Sequence, residues 1–219
     1  MTLRSRLLWL TVFGVAFGWM EASVVVYLRE IYYPDGFAFP TVLPTDRILL
    51  TELVRELATL AMLLGAAMVA GRTGWERFGV FSFLFGVWDL VYYAALWIVL
   101  RWPESLLTWD VLFLIPLIWA GPVLSAALIA ASLTAAGLVI IRRTEAGFRP
   151  RVSRWDWAGA GVSLALLLYS FMANHRVVRG YEVPESFPWV PYALGTVLGW
   201  GIFARTFLGR GHGGSRDAP

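Results

Sequence analysis

The chain is dominated by long apolar runs, and the few polar positions that break them are its most informative residues. Six apolar segments lie near residues 7–28, 47–70, 78–100, 110–141, 156–174 and 188–208. Each is long enough to cross a bilayer core about 30 Å thick, which takes about 20 residues of helix. The pattern predicts an all-α, polytopic transmembrane bundle of about six spans, forming one integral membrane domain over residues 1–208. The fourth segment is about ten residues longer than one crossing needs. Pro116 and the Gly121–Pro122 pair punctuate it, which predicts a long span kinked at proline, with the freed carbonyl satisfied by neighbouring protein or water. Residues 209–219 are small and polar and read as a disordered cytoplasmic tail.

Ionisable residues break three of these runs: Glu21 in the first, Glu52, Arg55 and Glu56 in the second, and Asp89 in the third. Each such group in a bilayer core costs roughly 2.5–3.5 kcal/mol even on a gentle scale, so it must face the bundle interior or water. At about 100° per residue, Glu52, Arg55, Glu56 and Thr59 share one helix face, while Leu53, Val54 and Leu57 point elsewhere. Glu52 and Arg55 are also spaced for an ion pair. On the third segment Ser82, Asp89, Tyr92 and Tyr93 share a face, where a phenol can donate to a carboxylate. At a rise of about 1.5 Å per residue, Glu52 lies roughly 7 Å below the outer surface, Glu21 about 10 Å, Glu56 roughly 13 Å and Asp89 about 16 Å. Asp110 falls at the rim. The candidate site is therefore Glu21, Glu52, Arg55, Glu56, Asp89, Tyr92 and Asp110, open to the extracytoplasmic side, with nothing comparable expected in the inner half. One arginine cannot neutralise these acids. The excess must be protonated, paired elsewhere or matched by a bound cation.

Other polar residues read more plainly. Asp46, Asp110 and Asp156 each stand where a helix is expected to begin, as carboxylates that cap free amides. Glu76 and Glu145 read as solvated loop charges. His175, beside Asn174 and Arg176, either joins the site or simply lies at the interface. Gly14-x-x-x-Gly18 and Gly195-x-x-x-Gly199 have the small-residue spacing that lets membrane helices approach closely.

Composition narrows the class further. The chain is 58% hydrophobic and 15% charged, against about 45–50% and about 25% for soluble domains. With no cysteine, disulfides, thiolate metal sites and thiol nucleophiles are excluded. The two histidines give no basis for a multi-histidine metal centre, and no haem or thiolate site is expected. All basic residues are arginine, and they lie mainly in the loops between apolar segments, so nucleic acid is not a predicted partner. Twelve of them (4, 6, 72, 77, 142, 143, 149, 151, 154, 205, 210 and 216) fall on one side and five (29, 47, 101, 176 and 179) on the other. That bias places both termini in the cytoplasm of a bacterial inner-membrane, multi-pass protein. The basic start and Leu7–Phe17 imitate a signal peptide, but the apolar run continues to Tyr27 without a small-x-small cleavage pattern, so the first helix is read as retained. The opposite loops, 29–46, 101–109 and 175–191, are rich in aromatic residues and proline. They read as an interfacial belt or as a lid over a cavity.

The constellation points first to cation- or proton-linked transport. A non-catalytic subunit of a membrane complex and a metal-dependent membrane enzyme acting on a lipid-linked phosphate remain as alternatives. Glu52-x-x-x-Glu56 is similar to the E-x-x-x-E element of undecaprenyl-pyrophosphate phosphatases over these five residues, which implies acids and an arginine handling a metal-bound pyrophosphate. The Gly/Ser/Arg loop that completes that family's site has no counterpart here. A divalent cation would be held through carboxylate oxygens of Glu52, Glu56 and Asp89. Expected partners are the lipid bilayer and other membrane subunits.

Overall fold

Apolar length makes the helices, and small residues decide how closely they pack. A computed structural model describes residues 2–33, 46–180 and 182–209, with the Asp46 side chain excepted. The elements run α1 (Leu3–Tyr32), α2 (Asp46–Ala70), α3 (Gly74–Leu100), β1 (Trp109–Phe113), β2 (Trp119–Pro122), α4 (Val123–Glu145), α5 (Arg154–Met172), α6 (His175–Arg179) and α7 (Trp189–Phe203). A π-helical turn, Ala204–Leu208, continues α7. Five helical stretches are long and apolar enough to cross a membrane: α1, α2, α3, α4 and the stretch from α5 through α6. The protein is a helical integral membrane protein. The predicted tail beyond Gly209, most of the 29–46 loop and the expected Asp46 cap lie outside the described residues.

Caps set several helix starts. The Thr2 hydroxyl accepts from the Ser5 amide at 3.3 Å to open α1, and Thr73 accepts from Glu76 at 3.2 Å to open α3. At α5 the cap is Ser153 rather than Asp156. Asp156 sits three residues in, where its carboxylate accepts from the Ser153 amide and completes a capping box. It is buried and ion-paired with Arg205.

The glycine pairs mark close helix crossings. A Cβ at Gly14 would lie 2.8 Å from the Val87 side chain, and one at Gly18 2.5 Å from the Trp88 carbonyl, so α1 presses directly on α3. Gly195 and Gly199 do the same for α7 against α5, where the Ser163 hydroxyl donates to the Gly195 carbonyl at 2.7 Å. The tightest crossing is α3 on α4: a Cβ at Gly86 would stand 2.3 Å from the Ala130 carbonyl.

The expected long fourth helix over 110–141 does not form. Residues 109–122 instead make an antiparallel hairpin, with Trp109 opposite Pro122, Asp110 opposite Gly121 and Val111 opposite Ala120. The helix begins only at Val123. Pro116 and Pro122 each lack the amide proton a helix needs, and Trp109, Val111 and Phe113 alternate as a strand's residues do. Asp110 is therefore a strand residue, not a helix cap. An exposed hairpin would be costly in lipid, because backbone groups there have no water to bond. This one is exposed only at its tip, Pro116 and Leu117, and its strands pack on helices, with Trp119 stacked on Phe171 of α5 at 6.0 Å and Phe113 stacked on Phe85 of α3 at 6.3 Å.

Helices α1 to α4 surround a core of Leu10, Phe17, Leu63, Val80, Leu84, Trp88 and Ile141. Helices α5 and α7 pack on each other and join the rest chiefly through the hairpin and the π-helical turn. Near the hairpin, Tyr192 of α7 donates to the Ser125 carbonyl at 2.8 Å.

The end opposite the hairpin also differs from expectation. Glu76 is no loop charge: it is 3% exposed and pairs with Arg6 at 2.5 Å. Glu145 pairs with Arg6 at 3.1 Å and with Arg72 at 3.5 Å. Arg6 and Glu76 are buried while Arg72 and Glu145 are exposed at the rim, and in this cluster two acids meet two arginines.

Candidate functional site

The seven residues singled out in the sequence lie around one cavity of about 400 Å³ at the hairpin end of α1, α2, α3 and α4. They arrive there from different elements because each apolar helix must turn its polar face inward. Glu21 comes from α1; Glu52, Arg55 and Glu56 from α2; Asp89 and Tyr92 from α3; Asp110 from β1.

Arg55 is the hub of one side. Its guanidinium is ion-paired with Glu21, and it donates to Glu52 from Nε at 2.8 Å and from Nη2 at 2.6 Å. The Thr59 hydroxyl donates to Glu21 at 3.2 Å. Glu56, one turn on, turns to the hairpin instead. Both of its oxygens accept the Leu114 amide, at 3.0 and 3.1 Å, satisfying a backbone donor at the end of β1. Nothing in the residue pattern around Glu56 points to a carboxylate in that role.

Across the cavity, the Tyr93 hydroxyl donates to Asp110 at 3.0 Å. Asp110 lies in the hairpin, outside the spanning helices, and is 5% exposed. Burial pushes its carboxyl up to about 6, while the Arg29 charge, the Tyr93 hydroxyl and the Val111 amide pull it down. Asp89 differs from all of these. It faces the cavity, and among the described residues no hydrogen bond or ion pair reaches its carboxylate.

Arg29 is a cavity residue that the sequence reading assigned to a loop. Helix α1 runs on to Tyr32, which carries Arg29 into the wall, with its guanidinium 3.7 Å above the Trp102 ring. The signal was present: Arg29 is eight residues beyond Glu21, about 80° round the same helix. Arg29 raises the positive count to two, yet five carboxylates still line the space. Fully ionised, the lining carries three more negative charges than positive ones.

The rest of the wall is aromatic. Trp88 lies 6.5 Å from Phe113, and Phe113 lies 5.6 Å from Trp119, ring centre to ring centre. The indole N–H groups of Trp88 and Trp119 have no acceptor among the described residues. No motif flagged these rings, because the hairpin that brings two of them in was not foreseen. His175 does not line the cavity; its Nδ1 lies 2.8 Å from the Met172 carbonyl.

For a metal, Glu52, Glu56 and Asp89 point to three different surroundings: Arg55, the Leu114 amide and the open cavity. Among the described residues no three carboxylates, histidines or cysteines come together as an ion-binding group. The fold and cavity together define a helical integral membrane protein with an acidic, aromatic-walled chamber between its helices. Comparison with protein-family models, curated protein sequences and solved structures gives no match.

Proposed function

We propose that the protein is a cation- or proton-linked membrane transporter whose acidic cavity is the binding site. One observation carries the reading: five carboxylates face two arginines, and Asp89 meets the cavity with no protein partner among the described residues. A structural network has no use for an unmatched carboxylate at that cost. A carboxylate that takes up and gives back a cation does. Glu21, Glu52 and Arg55 form the standing charge that tunes the chamber, Glu56 and Asp110 are held by donors of the hairpin and of Tyr93, and Asp89 is the exchangeable group. The arginine bias supports an orientation with the termini in the cytoplasm of an inner membrane and the hairpin end, with its cavity, on the far side. The metal-enzyme reading has less behind it, since both acids of Glu52-x-x-x-Glu56 are engaged by the chain's own donors.

The test is charge displacement in proteoliposomes adsorbed on a solid-supported membrane. Jumps of pH and of sodium concentration across the wild type are expected to give a transient current from one of the two. In Asp89→Asn that current falls at least tenfold, with reconstitution and the size-exclusion profile unchanged. Wild-type protein silent to both jumps, or an Asp89→Asn current equal to the wild type's, overturns the proposal.

A further inference from the structure

We infer that the ligand of this cavity is an organic cation, an ammonium group carried on an apolar or aromatic body. The inference rests on the cavity being a ligand site, as proposed above, and adds the class of molecule it takes.

Size is the first argument. A chamber of about 400 Å³ falls in the range of small-molecule sites, roughly 300–1,000 Å³, and far exceeds what a bare ion or proton occupies. Donor geometry is the second. A hard metal ion requires several oxygens converging on one point, and the described carboxylates do not converge. The walls are the third. An unpartnered carboxyl group stands beside a contiguous set of rings: Trp88 directly precedes Asp89 on α3, and Phe113 and Trp119 extend the surface from the hairpin. Negative charge plus aromatic faces is how ammonium groups are held, since the ring quadrupole attracts a cation whose hydration has been lost. An anion would meet five acids against two arginines, and a neutral apolar ligand would leave the acids without a counter-charge. The protein already uses the same chemistry on itself, with the Arg29 guanidinium lying on Trp102 at the margin of the cavity.

The probe is radiolabelled benzyltrimethylammonium, whose charge is permanent, measured by equilibrium dialysis on the full chain in phosphatidylglycerol nanodiscs. Saturable binding is expected, with no competition from its neutral isostere neopentylbenzene. Asp89→Asn should weaken it at least tenfold and Trp88→Phe several-fold. Glu30→Gln, an exposed acid outside the lining, should leave it unchanged. Nanodiscs containing phosphatidylcholine separate two sources of the ammonium group. Lost probe binding there identifies a lipid headgroup as occupant, and unchanged binding identifies a soluble amine. No saturable binding, equal binding of the neutral isostere, or equal binding by Asp89→Asn overturns the inference. If displacement currents persist while the probe fails to bind, the ligand class alone is wrong. If the currents are absent as well, the transport reading falls with it.

Discussion

Asp89 and Glu76 are both acidic residues of α3, and what separates them is the company they keep. Glu76 is buried against Arg6 and also accepts the Arg72 amide at 2.9 Å, so its charge is answered on the spot. Such a pair contributes little net stability but is expensive to break, because the surviving charge is left buried. Arg6→Met is therefore expected to cost about 3–5 kcal/mol. The double variant Arg6→Met/Glu76→Gln, which removes both charges and keeps the acceptor, should recover most of that loss. Chemical unfolding in mixed micelles reads both, and a double variant no more stable than the single one would contradict the argument. Asp89→Asn removes a charge that has no protein partner to strand, so its stability should match or exceed the wild type's even as function is lost. The sequence exposed Asp89 through its depth in an apolar run. It hid Glu76, which flanks a short loop and looks solvated until Arg6, far away in the chain, closes over it; Glu145 stays exposed but pairs with the same arginine.

Elements were legible where apolar periodicity and conformation agree, and obscure where they part. Helices α1, α2 and α3 follow from length and from the polar face that each must turn inward, and the face of α2 emerged with the expected Glu52–Arg55 pair. The hairpin did not, because hydropathy reports burial rather than backbone shape, and residues 110–122 are nearly as apolar as the helix that follows. Only the prolines and the alternation of Trp109, Val111 and Phe113 distinguish them. Close approach is a property of elements as well, and glycines set it. At Gly86 a methyl group would run into the Ala130 carbonyl and the Thr134 hydroxyl, both 2.3 Å away, so Gly86→Ala must push α3 from α4. A loss of about 1–3 kcal/mol is expected, as for overpacking generally. Gly65 of α2 is the matched control, since it is exposed and a methyl there meets nothing within 4 Å. Gly65→Ala should be neutral or stabilising by up to about 1 kcal/mol, from helix propensity alone. Equal effects at the two positions in the same unfolding assay would show that packing at the α3–α4 crossing is not what holds it.

Across the whole molecule, a second cavity of about 760 Å³ lies between α3 and α4 on one side and α5 and α7 on the other. Its lining includes Trp75, which contacts both Trp157 and Phe207 at the end away from the hairpin. Ile129 and Leu133 of α4 line both cavities. Four residues apart on one helix face, they form an apolar layer between the two chambers. The α5–α7 pair meets the rest chiefly through the hairpin and the π-helical turn. A transporter built this way would rock that pair against α4 and expose the layer to each chamber in turn. The chain has no cysteine, so any introduced thiol is the sole target for a membrane-impermeant methanethiosulfonate. Glu52→Cys should react only from the hairpin side, and Thr206→Cys, in the second cavity, only from the opposite side. Leu133→Cys should react from both, measured separately in right-side-out and inside-out vesicles. Protection of Leu133→Cys from either side would make the layer a fixed wall and the two cavities independent. Reaction from both sides, slowed by benzyltrimethylammonium from the hairpin side alone, would join them into one path with the acidic chamber as its binding stage.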